Sequence, residues 1–547
     1  MIALGAEFDS DRIEELAGEV ERRFGPFVRE WVNPGADARD RLGEALPRAL
    51  LAEAGRLGLH GFSLPPEIGG QGRDKFEWGI VLEEVSSISG DAGLCPVVDV
   101  SAGVAEVLVQ TGRSELIERY AVPMAAGACV CPPAAYESRD PFEYRTTARE
   151  AAGGWRLDGC KPFVGGAMFA DAFLVYAREE ESGDILSFVV ERADEGVCVD
   201  RLATTGLRSM GFGTVSMDRV QLPKERLVAD VDAVSAFNTY LRNRRLMTAC
   251  SVVGHLRALV DSCVLALEGR QRGGLSVLEY PNVQRTVGEM FMALHTSRAT
   301  VHRALASTYG ARDRFFDPVS TAAKAFVSKQ AIEVGLAVMG LQGGEGYMRQ
   351  HPWERSVRDA LALIGGQGAQ ELLLIQLGQH VVMETRQREV RMEKARRLRA
   401  GVTPDGVAGA VGEILVDRLA PLLDGLDDRL HRPGARVLDA GAGSARVAVD
   451  LRRRLPLAHV VAFHLPAEGA LDDADRFDLA WVETELPCLH AALRSLRVGG
   501  WAVAPASSAP GAGELARTLE EAGFGSIRTV PEPRHGTLHL VAGRRTR

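Results

Sequence analysis

The sequence predicts a multidomain protein in which two blocks of helices flank a small β domain and an α/β domain follows. Three observations carry this. The chain has 547 residues, too many for a single hydrophobic core. Its texture changes near residue 125 from helical periodicity to short strand-like runs, and changes back after Val234. Beyond residue 430, strand-like runs alternate with helical stretches, the pattern of a mainly parallel sheet.

Residues 1–122 read as helices. Ile13, Leu16, Val20, Phe24 and Phe27 recur at spacings of three and four, and Leu42 to Leu57 repeats the pattern. Residues 123–232 read as β structure, with short apolar runs at 128–131, 154–157, 172–177, 186–190 and 214–217 separated by turn residues. Residues 233–385 return to long helical patterns, broken at 269–274, 312–318 and 340–352. Residues 386–430 open on a run in which Arg alternates with Glu and Met, reach Gly-Val-Thr-Pro, and read as a linker with helices. In residues 431–547 the run 435–447 is a buried strand entering a Gly-rich turn and a helix. Further strands are expected at 459–463, 477–481, 501–504 and 539–542.

Composition narrows the function classes. A hydrophobic fraction of 46% and a charged fraction of 25% are those of a soluble globular chain. The net charge of -9 offers no basic face, so no nucleic-acid partner is expected. The first residues turn acidic and no apolar run approaches the roughly 20 residues that span a bilayer, so neither a secretory signal nor a membrane is expected. Eight scattered cysteines, the closest pair being Cys129 and Cys131, lack metal or redox spacing, which fits free thiols in a reducing cytoplasm and no metal site. Scarce Lys beside abundant Arg, Ala and Gly reflects a GC-rich bacterial genome.

The motifs are more specific. In order come Leu57-Gly-Leu-His-Gly-Phe-Ser-Leu-Pro-Pro-Glu-Ile-Gly-Gly-Gln-Gly72, the Glu83-Glu84 helix, Gly112 to Pro123, and Gly154 to Gly165. Gly206-Leu-Arg208 to Pro223, Arg270, Gly343-Gly-Glu-Gly-Tyr347, Pro352-Trp-Glu-Arg355 and Arg358-Asp-Ala360 follow. This succession over residues 45–385 resembles the acyl-CoA dehydrogenase family. The resemblance implies a helical N-terminal domain, a middle β domain and a C-terminal four-helix bundle. It also implies FAD bound between the subunits of a homodimer or homotetramer, and an acyl-CoA or acyl-carrier-protein substrate.

The resemblance places cofactor contacts at Phe163, Val164, Gly165, Arg270, Gly343, Gly344 and Gly368. Arg270 suits a pyrophosphate charge, or else caps a helix end. The Gly pair lets backbone approach a ligand, or is a plain loop. Phe163 serves equally as a flavin wall or as core. The family's base, in Glu-Gly-Thr, corresponds to Gln367-Gly368-Ala369, and an amide accepts no proton. A second family position for that Glu, just before the Arg matching Arg245, is Arg244 here. Gln367 is thus the catalytic position, its role open.

Val437-Leu-Asp-Ala-Gly-Ala-Gly-Ser-Ala445 resembles motif I of class I methyltransferases, with Asp439, Gly441 and Gly443 as the S-adenosylmethionine positions. His464 stands where a ribose-binding acid is expected, and the third strand has no room, so this α/β Rossmann-like, methyltransferase-type domain reads as degenerate. The expected function is a flavin-dependent oxidoreductase of bacterial specialised metabolism acting on an acyl thioester without the usual Glu. Decarboxylation or oxygen activation would dispense with that base. The alternatives are a catalytically decayed partner or scaffold subunit, and a methyltransferase.

Overall fold

The computed structural model describes residues 10–138, 143–151, 153–229, 233–308 and 317–399, and six strands beyond residue 430. The chain divides into two compact units, one reaching to Leu377 apart from residues 179–184, the other holding the later strands.

The first unit opens with helices α1 (Ser10–Arg23), α2 (Ala36–Leu42), α3 (Arg48–Arg56), α4 (Lys75–Ile88) and α5 (Leu94–Gln110). The stripe read from the sequence is the one that is buried, since Ile13, Leu16, Val20, Phe24 and Phe27 all enter the core. A capping box starts α4. The Asp74 side chain accepts from Glu77 N at 2.8 Å, and the Glu77 side chain accepts from Asp74 N at 3.1 Å.

An eight-stranded sheet follows: β1 (Pro133–Ala134), β2 (Thr147–Ala151), β3 (Gly154–Val164), β4 (Ala172–Glu179), β5 (Ile185–Glu191), β6 (Val197–Arg201), β7 (Gly213–Pro223) and β8 (Leu227–Ala229). Its order is β6-β7-β3-β2-β4-β5-β8, with β1 parallel to β4. The continuous apolar runs of β4 and β5 are buried on both faces, which is why they do not alternate.

The helical bundle comprises α6 (Ala233–Leu267), α7 (Pro281–Thr308), α8 (Pro318–Gln342) and the start of α10 (Gln370–Arg399), with the short α9 (Trp353–Leu361) before it. A hairpin, β9 (Gln271–Arg272) with β10 (Leu275–Ser276), joins α6 to α7. Asp317 starts α8 by accepting from Val319 N and Ser320 N. Deep between α4, α6 and α7, Glu83 accepts from Arg298 at 2.7 Å and meets His302 Nε2 at 2.6 Å, while Arg257 grips Glu84 at 2.5 Å.

Among the described residues, α6 over Ala236–Leu267 is long and apolar enough to span a bilayer by composition alone. Its apolarity serves the bundle instead: Leu246, Met247, Cys250, Val253, Leu256, Val260, Cys263 and Leu267 lie in the core, and α6 packs on α4, α5, α7 and α8.

The second unit holds a sheet of β11 (Arg436–Asp439), β12 (His459–Ala462), β13 (Phe477–Trp481), β14 (Leu496–Ala506), β15 (Phe524–Pro531) and β16 (His539–Arg545), in the order β12-β11-β13-β14-β16-β15. The first four strands of that order are parallel, whereas β16 runs antiparallel to both β14 and β15. Strand β15 was not expected, because Gly525, Ser526 and Pro531 dilute its β-branched Ile527, Thr529 and Val530. Asp439 ends β11, and Gly441 and Gly443 lie outside the described residues.

Candidate functional site

The turn after α9 is held at both ends. On α9, Arg358 binds Asp40 through two nitrogens at 3.0 and 2.7 Å and donates to Thr205 O. Asp359 accepts from Leu207 N at 2.5 Å, and burial pushes its carboxyl up to about 6. The Arg-Asp-Ala motif is therefore a clamp that fixes where the chain leaves α9. Six residues on from Leu361, Gln367 adopts a positive φ of 55°, a conformation costing a residue with a side chain on the order of 1 kcal/mol.

Two cations hold that turn. Arg245 Nε, from α6, donates to Gln367 O at 3.0 Å. Lys324 Nζ, from α8, donates to Gly368 O at 3.0 Å and Leu363 O at 2.7 Å. Gly368 (φ 104°) is needed here, because an added Cβ would lie 3.3 Å from the Arg245 guanidinium. Burial first, then Arg245, pulls the Lys324 ammonium down to about 8. Burial also lowers Arg245. Among the described residues, no carboxylate pairs with either cation.

Arg244 is buried differently. Its guanidinium is fully enclosed, donating to Asp99 Oδ1 at 2.5 Å, to Asp99 O at 2.8 Å and to Glu106 at 3.2 Å. Lys75 also pairs with Glu106, and Trp78 Nε1 donates to Asp99 at 2.9 Å. Burial pushes Glu106 up, but Lys75 and Arg244 outweigh it and hold the carboxyl below its ordinary value. Gly103 makes room on α5, where a Cβ would sit 2.7 Å from Tyr240 and 3.0 Å from Arg244. The second family position for a base is thus a structural cation tying α6 to α5.

The proposed cofactor contacts fall into two groups. At the end of β3, Phe163 is 54% exposed and stacks on Phe212 with centroids 4.8 Å apart. Val164 points the other way, into the sheet core, so only its backbone is available to a ligand. A Cβ on Gly165 would lie 2.7 Å from Met210 Cε, so the space a hydroxyl-bearing side chain would need is filled. In the bundle, Arg270 meets the Gly343-Gly344 turn through Glu345, at 2.6 Å. A Cβ at Gly343 or Gly344 would touch nothing within 4 Å, leaving the turn open to an approaching ligand. The Arg270–Glu345 pair is half exposed and worth at most about 1 kcal/mol, so a diphosphate could displace the carboxylate.

Residues 15–128, 137–220 and 234–382 match, respectively, the N-terminal, middle and C-terminal domains of acyl-CoA dehydrogenases. Over residues 15–382 the chain belongs to the acyl-CoA dehydrogenase family. A probable acyl-CoA dehydrogenase of Mycobacterium leprae is 26% identical, covering 64% of this chain and 92% of its own. The benzylmalonyl-CoA dehydrogenase of Aromatoleum aromaticum is 26% identical over 66% of this chain and 97% of its own. In fold the chain is similar to the prolyl acyl carrier protein oxidase AnaB, with a TM-score of 0.63 at 18% identity over 69% of this chain and all of that one. It is likewise similar to PigA, solved with FAD and proline, with a TM-score of 0.62 at 19% identity over 70% of this chain and 99% of that one.

Within this acyl-CoA dehydrogenase module, sequence reading found the Gln367 turn but not its two cations. A signal existed in Thr321-Ala-Ala-Lys-Ala-Phe-Val327, where one Lys interrupts an apolar helix stretch. Arg244-Arg245 offered another, since two adjacent Arg on a core helix must point in different directions. The acids Asp99 and Glu106, two turns apart on one stripe of α5, likewise went unread.

Proposed function

We propose that the protein is an FAD-dependent oxidoreductase acting on an acyl thioester of CoA or of a carrier protein, at a site without the family's carboxylate base. The observation that carries this is the pairing of Arg270 with the open Gly343-Gly344 turn inside a three-domain acyl-CoA dehydrogenase chain. Arg270 would hold the pyrophosphate, the Gly pair would let backbone come close, and Phe163 would offer an aromatic wall. When bound, the flavin supplies an acceptor for a hydride. The residues of this chain bind and orient the thioester, and none at position 367 removes its α-proton. Exposed Phe291 and Met292 on α7 and Leu336 on α8 support self-association into a homodimer or homotetramer.

The test is spectroscopic. Purified protein should be yellow, and anaerobic mixing with simple saturated acyl-CoAs should bleach the flavin slowly. Losing general-base catalysis removes about a hundred- to ten-thousandfold of rate. Gln367→Glu should restore part of it. Rapid bleaching by wild type would mean that another residue is the base, and colourless protein that takes up no FAD would refute the reading.

For residues 431–547 we propose a methyltransferase-type domain that has lost methyl transfer. The strand order, with one antiparallel strand set beside the last parallel one, supports that fold, as does the Gly-rich run after β11. His464 in place of an acid, and the short 464–477 interval, support the loss.

A further inference from the structure

We propose that the turn carrying Gln367 recognises a carboxylate on the substrate's α-carbon, which makes the preferred ligand a malonyl-type acyl thioester. The inference rests on the function proposed above, which sets that carbon beside Gln367.

The argument begins from charge. Arg245 and Lys324 converge on one turn from two helices, and their hydrogen bonds go to backbone carbonyls alone. Arg245 spends only Nε there, so its terminal nitrogens, which make no hydrogen bond among the described residues, keep their donor capacity. The other buried cations of this unit are neutralised: Arg39 by Asp91 at 2.7 Å, Arg226 by Glu191 at 2.9 Å, Arg244 by Asp99, and Lys161 by Glu137. The cations at the Gln367 turn, Lys324 buried and Arg245 half-buried, break that rule, and a desolvated charge without a counter-charge is costly.

The neighbouring groups do not supply the missing charge. Asp99 and Glu106 are held by Arg244 and Lys75, and Asp359 is held by Leu207 N. Glu371 is exposed on the first turn of α10 and pairs with neither cation. Tyr136, whose phenol burial pushes up to about 12, stays neutral beside Arg245. The start of α10 at Gln370 adds the partial positive charge of its unbonded first-turn N–H groups. A residue that would have supplied an anion, at position 367, is an amide. A ligand carboxylate placed there meets a planar guanidinium fork and a second cation behind the turn.

The experiment is calorimetric titration of the flavin-loaded full chain with ethylmalonyl-CoA and with butyryl-CoA, which differ only by that carboxylate. Ethylmalonyl-CoA should bind at least about tenfold more tightly, the ratio given by 1.4 kcal/mol. Arg245→Gln should abolish the preference. Gln367→Glu, which leaves Arg245 and Lys324 in place and supplies an internal carboxylate, should reverse it. Equal or weaker binding of ethylmalonyl-CoA, with butyryl-CoA still bound, overturns the inference and leaves the proposed function standing. A preference that survives in both variants also overturns it. Failure of both thioesters to bind flavin-loaded protein overturns the proposed function itself.

Discussion

Replacing Arg244 with Met tests whether that residue is a structural cation. The guanidinium is wholly enclosed and makes three contacts, two of them with Asp99. Met fills much of the volume without the charge. Glu106 keeps Lys75, but Asp99 is left with only the Trp78 N–H. Removing one partner of a buried pair costs about 3–5 kcal/mol. At about 2–4 °C per kcal/mol that is a drop in Tm of roughly 6–20 °C, nearer the lower end for so large a unit. Burial pushes the Asp99 carboxyl up and Arg244 pulls it back, so without Arg244 it rises further. A carboxyl whose folded pKa exceeds its unfolded one favours folding at low pH and loses that contribution as pH rises through the folded value. The deficit of Arg244→Met should therefore be largest at pH 7 and shrink toward pH 5. Calorimetric unfolding across that range is the assay, and adding Asp99→Asn should recover a good part of the loss at pH 7. A drop below about 2 °C, or no recovery from the second substitution, would refute the argument that Asp99 depends on Arg244.

Other outcomes follow from the same geometry. Arg270→Ala should lower the flavin-to-protein ratio of purified protein, since a hydrogen bond to a charged group is worth about 1.5–3 kcal/mol, or roughly ten- to a hundredfold in affinity; an unchanged ratio would remove Arg270 from the cofactor site. Lys324 sits at about 8 when folded against 10.5 otherwise, so the unfolded chain binds more protons between those values and stability should climb with pH there; Lys324→Met should flatten that part of the pH–Tm curve. S-adenosylmethionine should give no micromolar heat of binding, and binding that Gly441→Arg abolishes would show that the C-terminal domain is competent.

Much of the fold was legible because it is written in local pattern. The α1 stripe and the apolar runs of β4 and β5 each need only neighbouring residues to be read. The turn at Gln367 was legible for a different reason: a short motif places it, and one substitution within it changes the chemistry. Arg245 and Lys324 were not legible as a pair, because they meet that turn from 122 and 44 residues away along the chain. Spacing within a helix says which face a residue takes but not which distant carbonyl or carboxylate waits there.

The treatment of charge separates the three cationic positions by role. Arg244 is enclosed and paired, which is how a fold keeps a buried cation without function. Arg270 is half exposed and loosely paired, so its partner can be exchanged for a ligand at little cost. Lys324 is buried and Arg245 half-buried, and neither is paired with an acid among the described residues, so the fold carries their partial desolvation without a counter-charge. That imbalance is tolerable when packing elsewhere over-determines the turn, as the Arg358–Asp40 and Asp359–Leu207 contacts do here. An amide at position 367 therefore does more than delete a base. It leaves a positive charge at the place where the substrate's reacting carbon is expected, and the substrate that fits best is the one that brings the negative charge with it.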